Sequence, residues 1–228
     1  MTEQEWLECA EPGKMLEFLR GKASERKLRL FAVACCRWAW QFLSEESSRE
    51  AVRVAELFAD GLASDMELTK VQEAASQAEL AVWDELEEGN FERVVYDNHD
   101  AAVSAEQVAF INLFEHDSSV GGSHAASVVY ATHSAFTRAT LDEEPARRHQ
   151  VALLHHIFGN PFRPYPAPTH WPSTDVQLAD ALYNGEDCCL ALHDALLEAG
   201  QPDLADHFRQ EHSHPKGCWV LDLLLGKE

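Results

Sequence analysis

The sequence contains no uninterrupted apolar run of about 18 or more residues, the length that a membrane span requires; its richest stretch is bracketed by Arg29 and Arg37. The opening residues Thr2, Glu3, Gln4, Glu5 and Trp6 carry neither a basic region nor an apolar leader, so no secretion signal is expected. Basic residues are scarce: 18 Lys and Arg stand against 39 Asp and Glu, a net charge of -21. Such a surface repels phosphate backbones, which disfavours nucleic acid as a partner. No Gly-Lys-Ser/Thr phosphate loop and no Gly-x-Ser-x-Gly nucleophile elbow occurs. The six cysteines, Cys9, Cys35, Cys36, Cys188, Cys189 and Cys218, lack the spacing of a disulfide scaffold. Reduced thiols in a cytoplasmic protein are the expectation.

What is present is helical periodicity with legible punctuation. Apolar residues make up 46% of the 228, enough to build a core despite the charge. Glu3 to Cys9 and Lys14 to Arg20 read as short helices broken at Pro12-Gly13 and Gly21. Ser24 then caps a helix running to about Leu43, and Ser44 caps the next, with Ala51, Val54, Ala55, Phe58 and Leu62 on one face. Ser64 with Glu67 forms a capping box ahead of Leu68, Val71, Ala75, Ala78 and Val82. Further helices are expected over 97–114 and 123–137, then from a cap at Asp142 to Gly159. Five of the nine prolines fall between Pro161 and Pro172, where a helix cannot continue. Beyond them, Thr174 with Gln177 reads as a second capping box, Pro202 as a first-turn proline, and 217–226 as a short docked helix. The six tryptophans, Trp6, Trp38, Trp40, Trp83, Trp171 and Trp219, read as core anchors.

The fold class that follows is all-α: a multi-helix bundle over 1–160, a proline-rich strap over 161–173, and a small C-terminal helical unit over 174–228 packed on the bundle. Seven of the basic residues lie between Lys14 and Arg37, opposed there only by Glu17 and Glu25. This positive segment in an acidic chain is expected to be an electrostatic keystone of the core, or else a small anion-binding patch.

The blocks Glu5-Trp6-Leu7, Met15 to Ser24, Arg26 to Arg37, Ile157 to Pro164 and Gly217 to Lys227 resemble those of a large uncharacterised bacterial paralogous family. That resemblance implies no activity and no catalytic residue. The stretch from Leu192 to Arg209 is similar to short helical companion modules found beside repeat proteins, which implies an interaction role.

Twelve histidines direct the search for chemistry. His99, His116 and His193 are each followed by Asp. A His-Asp dipeptide in a helical protein resembles the HD metal-dependent phosphohydrolases, and His155 or His156 upstream of His193 and Asp194, with Asp222 downstream, matches the order of residue types. The plainer account is solvated helix-surface His and Asp. His207, His212, His214 and Cys218 offer ligand types suited to zinc, although no fourth donor stands beside the His-x-His pair and Cys218 at finger-like spacing. Here the plainer account is loop histidines with a buried thiol. Cys35-Cys36 reads as core packing. Cys188-Cys189 lies near a helix start, but Glu186 and Asp187 oppose a thiolate there. Arg163, fixed between Pro161 and Pro164, is a candidate interaction residue, able to meet a carboxylate or to guard a groove.

The functional expectation is a non-catalytic interaction or accessory protein offering an acidic helical surface to a protein partner. The alternative is an HD-like, metal-dependent phosphohydrolase. No cofactor is expected other than a divalent metal at one of the histidine groups.

Overall fold

A computed structural model describes residues 1–43, 45–87, 144–166, 168–209 and 214–227. The helices expected over 97–114 and 123–137, the Asp142 and Ser44 caps and the His99-Asp100 and His116-Asp117 dipeptides lie outside them. Among the described residues all regular structure is helical: α1 (Glu3–Glu8), α2 (Pro12–Leu19), α3 (Glu25–Trp38), α4 (Glu46–Ala59), α5 (Asp65–Glu87), α6 (Glu144–Phe158), α7 (Ser173–Tyr183), α8 (Cys189–Glu198), α9 (Pro202–Ala205) and α10 (Trp219–Leu225). Short 3-10 turns cover Trp40–Phe42 and Asp206–Phe208. The protein is thus an all-α, multi-helix fold, and no helix among the described residues is long and apolar enough to cross a membrane. It divides into two compact units, Met1–His155 and His156–Glu228, the boundary falling in the last turn of α6 rather than at Pro161.

The first unit is organised around α3. Ser24 caps it by accepting the backbone N–H of Lys27, and nine consecutive residues from Leu28 to Cys36 are buried. A helix so covered must be packed on most of its circumference, and side chains such as Phe31 and Leu30 each contribute about 1.5–3 kcal/mol by leaving water. Helix α3 packs on α4 and α4 on α5. The charges at its ends are met by α4: Arg26 pairs with Asp60 at 3.2 Å and Arg37 with Glu56 at 3.2 Å. Between them Arg29 is buried with its guanidinium 5.0 Å from the Phe58 ring, and desolvation pulls its pKa down to about 10. The keystone expectation for the basic segment therefore describes the interior of this unit. The adjacent thiols of Cys35 and Cys36 are pushed up by burial, Cys36 to about 12, which removes thiolate chemistry from α3.

Several boundaries differ from the sequence reading. Helix α3 stops at Trp38 rather than near Leu43, and Ala39 turns the chain into the Trp40–Phe42 turn. Pro12 and Gly13 do not break a helix but start α2, because proline at the first position has no N–H to satisfy and Glu11 accepts from Lys14 and Met15. The N-cap of α4 is Glu45, which makes no side-chain cap bond. The Ser64–Glu67 box is formed in both directions: Ser64 N–H donates to Glu67 Oε2 at 2.8 Å, and Glu67 N–H to Ser64 Oγ at 3.3 Å. Of the tryptophans with described side chains, Trp6 is fully buried, whereas Trp38, Trp40, Trp171 and Trp219 are half-buried. Indole is large and carries a polar N–H, so one edge commonly stays near the surface.

Helix α6 places two histidines against aromatic rings of the first unit: His149 stacks on Trp38 at 4.6 Å and His155 meets Trp6 edge-on at 5.4 Å. Burial holds both below the ordinary value of 6.5. Since the unfolded chain binds these protons more readily than the folded one, their contribution is fully present above about pH 6.5 and lost as the pH falls below it. The stability of the first unit, read as a urea midpoint, is expected to drop between pH 7.5 and 5.5. A His149→Gln/His155→Gln double variant should show a shallower drop; an identical pH profile would remove these two rings as the cause.

In the second unit, α7, α8, α9 and α10 surround one core containing Ala179, Leu182, Leu192, Leu196, Leu204, Phe208, Val220, Leu221 and Leu224. The residues from 159 to 172 that are described carry no regular structure, as the prolines require. Tyr165 in this segment donates to Gln201 Oε1 at 2.6 Å. The expected Thr174–Gln177 box is replaced by an N-cap at Pro172, whose carbonyl accepts the Val176 N–H, leaving Thr174 inside the helix. Helix α10 buries Val220, Leu221, Asp222 and Leu224, so the apolar tail is part of the core.

Candidate metal centre

Four side chains of the second unit converge. His156 comes from the last turn of α6, His207 from the Asp206–Phe208 turn, His214 from the irregular residues just before α10, and Cys218 from the N-cap of α10. Their ligand atoms all lie within 4.8 Å of one another. His156 Nε2 is 2.9 Å from His214 Nδ1, His207 Nε2 is 3.1 Å from Cys218 Sγ, and His214 Nδ1 is 3.8 Å from the same sulfur. The three imidazole centroids are separated by 4.6, 4.8 and 5.0 Å.

Local sequence explains this convergence. Pro215 and Gly217 shape a tight turn in which the Cys218 N–H reaches the Pro215 carbonyl at 3.1 Å, returning the sulfur toward His214 four residues earlier. Pro202 opens α9, whose buried Leu204, Ala205 and following Phe208 fix the phase of the chain and so aim His207. The Phe208 ring lies 4.8 Å from that of His214, and Trp219 meets His207 edge-on at 5.8 Å, giving the polar group an aromatic wall.

The electrostatics favour the neutral form of His207. Burial first, then the neighbouring His156 and His214, push His207 down to about 3, so near neutral pH its lone pair is available. Cys218 is fully buried and His156 nearly so. Three imidazoles and one sulfur are the donor types of a four-coordinate, borderline-soft cation.

Of the zinc candidates read from the sequence, His207, His214 and Cys218 are brought together, while His212 lies outside the described residues. The fourth donor is His156, 51 residues from His207, a residue whose place in the sequence matches only the hydrolase order. The available signal was its position: a polar ring one turn beyond the buried Leu153, next to the buried Leu154 and Ile157.

The hydrolase candidates are arranged differently. His193 and Asp194 lie on α8 and pair with each other, Nδ1 to Oδ1, at 2.9 Å, the Asp194 side chain being 76% exposed. Asp222 is buried in α10, where its carbonyl accepts the N–H of Lys227. His155 belongs to the first unit, against Trp6. Among the described residues of the second unit, none of His193, Asp194 and Asp222 belongs to a group of three metal-ligating side chains. Arg163 is exposed, its backbone N–H donating to the Asn160 carbonyl at 3.1 Å. The Cys188 and Cys189 thiols are both raised, by burial and then by the nearby acidic residues, Asp187 acting on both and Glu186 on Cys188.

Comparison with family models, with curated proteins and with solved structures returns no match for this chain.

Proposed function

We propose that this protein is a non-catalytic interaction protein whose second unit docks a basic partner protein on the outer face of α8. The observation that carries the reading is the composition of that face. Cys189, Leu192 and Leu196 point into the core, while Leu190 and Leu197 are 62% and 46% exposed two turns apart, with Asp194 and Glu198 beside them. Two leucines framed by carboxylates form an amphipathic stripe of the kind that an apolar pocket rimmed by Lys or Arg would cover. The net charge of -21 favours such a partner and opposes both nucleic acid and a second copy of the chain.

The test is capture and identification of a stoichiometric partner, followed by reconstitution from the two purified components. Leu190→Asp/Leu197→Asp is expected to weaken that binding roughly tenfold or more, raised salt to weaken it further, and His193→Ala to leave it unchanged. Both leucines are exposed, so circular dichroism of the double variant should match the parent. Hydrolysis of phosphoesters with added manganese, abolished by His193→Ala, would overturn the reading in favour of the hydrolase.

A further inference from the structure

We propose that His156, His207, His214 and Cys218 form a tetrahedral zinc site that fastens the Asp206–Phe208 turn, the segment from His214 to Cys218 and, with it, α10 to the end of α6 within the second unit. Zinc bonds of about 2.0–2.1 Å to nitrogen and 2.3 Å to sulfur place tetrahedral ligand atoms about 3.3–3.6 Å apart. The separations of 2.9, 3.1 and 3.8 Å bracket that spacing, and all four ligand atoms lie within 4.8 Å of one another. Small rotations about side-chain bonds therefore suffice to close the four donors on one ion, with no change in the helices that carry them.

The chemistry of the set selects the ion. Calcium, magnesium and manganese prefer oxygen donors, of which this group has none, whereas imidazole and thiolate suit zinc. The structure also decides what kind of site this is. Four protein donors fill a tetrahedral shell, and the aromatic rings of Phe208 and Trp219 stand beside it. No coordination position remains for substrate water, so the ion is structural and links four segments of the unit. A small unit of 73 residues, His156–Glu228, is the size at which such a staple matters. This site is independent of the α8 face: its ligands lie on other elements.

Metal analysis of full-length protein purified without added metal, and again after zinc loading and buffer exchange, tests the proposal. About one zinc per chain is expected, falling at least tenfold in Cys218→Ser and in His156→Ala, with His193→Ala unchanged. Cobalt substituted for zinc should show the visible absorption of a four-coordinate ion and a thiolate-to-cobalt charge-transfer band that Cys218→Ser abolishes. If those variants do not fold, alkylation mapping of the parent protein in moderate urea still decides: Cys218 should be protected when zinc-loaded and reactive after chelation. Absence of bound metal after loading, metal retained undiminished in both ligand variants, or equal Cys218 reactivity in the two states would overturn the site and leave a hydrogen-bonded histidine cluster.

Discussion

Trp6→Ala is expected to destabilise the first unit by about 3–5 kcal/mol, the cost of emptying a fully buried tryptophan site. Trp6 is completely buried and is the only buried residue of α1. The helix has six residues and a capping box between Thr2 and Glu5, far short of the length at which a helix persists alone. Its one buried side chain lies 5.9 Å from the Phe18 ring and edge-on to His155 at 5.4 Å. Urea denaturation should show a lower midpoint, and Trp6→Phe should recover part of the loss by refilling some of the volume. A loss below about 1 kcal/mol would mean that the site collapses around the missing ring and that α1 contributes little to the core.

Gly159→Ala is expected to destabilise the second unit by about 2–4 kcal/mol, because two costs coincide. The backbone there is left-handed, with φ of 60°, which burdens any residue with a Cβ by about 1–2 kcal/mol. The added carbon would also stand 3.0 Å from Cγ of Trp219 and 3.1 Å from its Cδ2, closer than carbon atoms normally approach. Gly200→Ala separates the two terms: φ is 73° and nothing lies within 4 Å, so the strain is present without the clash. The difference between the two variants in thermal or urea unfolding is predicted at about 1–2 kcal/mol, with Gly159→Ala the worse. Equal losses would show that the indole moves aside freely. Since Trp219 also stands against His207, Gly159→Ala should weaken cobalt binding while Gly200→Ala leaves it intact.

Features governed by local rules were legible in the sequence. Ser24 and Ser64 cap because their hydroxyls reach orphaned N–H groups three residues on, a relation independent of tertiary context. The all-α class and the docked tail followed from periodicity and from too many leucines to leave in water. Thr174 failed as a cap because Pro172, already extended, offered its carbonyl two residues earlier. Pro12 failed as a breaker because the same ring that ends a helix also suits its first turn. The candidate site was legible up to its longest separation: the turn at Pro215 and Gly217 explains why His214 and Cys218 meet, but no local pattern pairs them with His156. Only the tertiary fold brings that ring to His207, 51 positions along the chain. The exposed leucines of α8 were hidden for a related reason, since the sequence shows apolar residues at 189, 190, 192, 196 and 197 without saying which of them the core has room for.

The uninterrupted burial of α3 also sets the order in which the first unit can come apart. With every side chain from Leu28 to Cys36 buried, the backbone amides in that stretch are expected to exchange only through opening of the unit as a whole. Their deuterium uptake must wait for the whole unit to unfold, while the ends of α4 and α5 exchange through local fraying. The slowest protons in α3 therefore act as a clock for global stability, readable without any substitution.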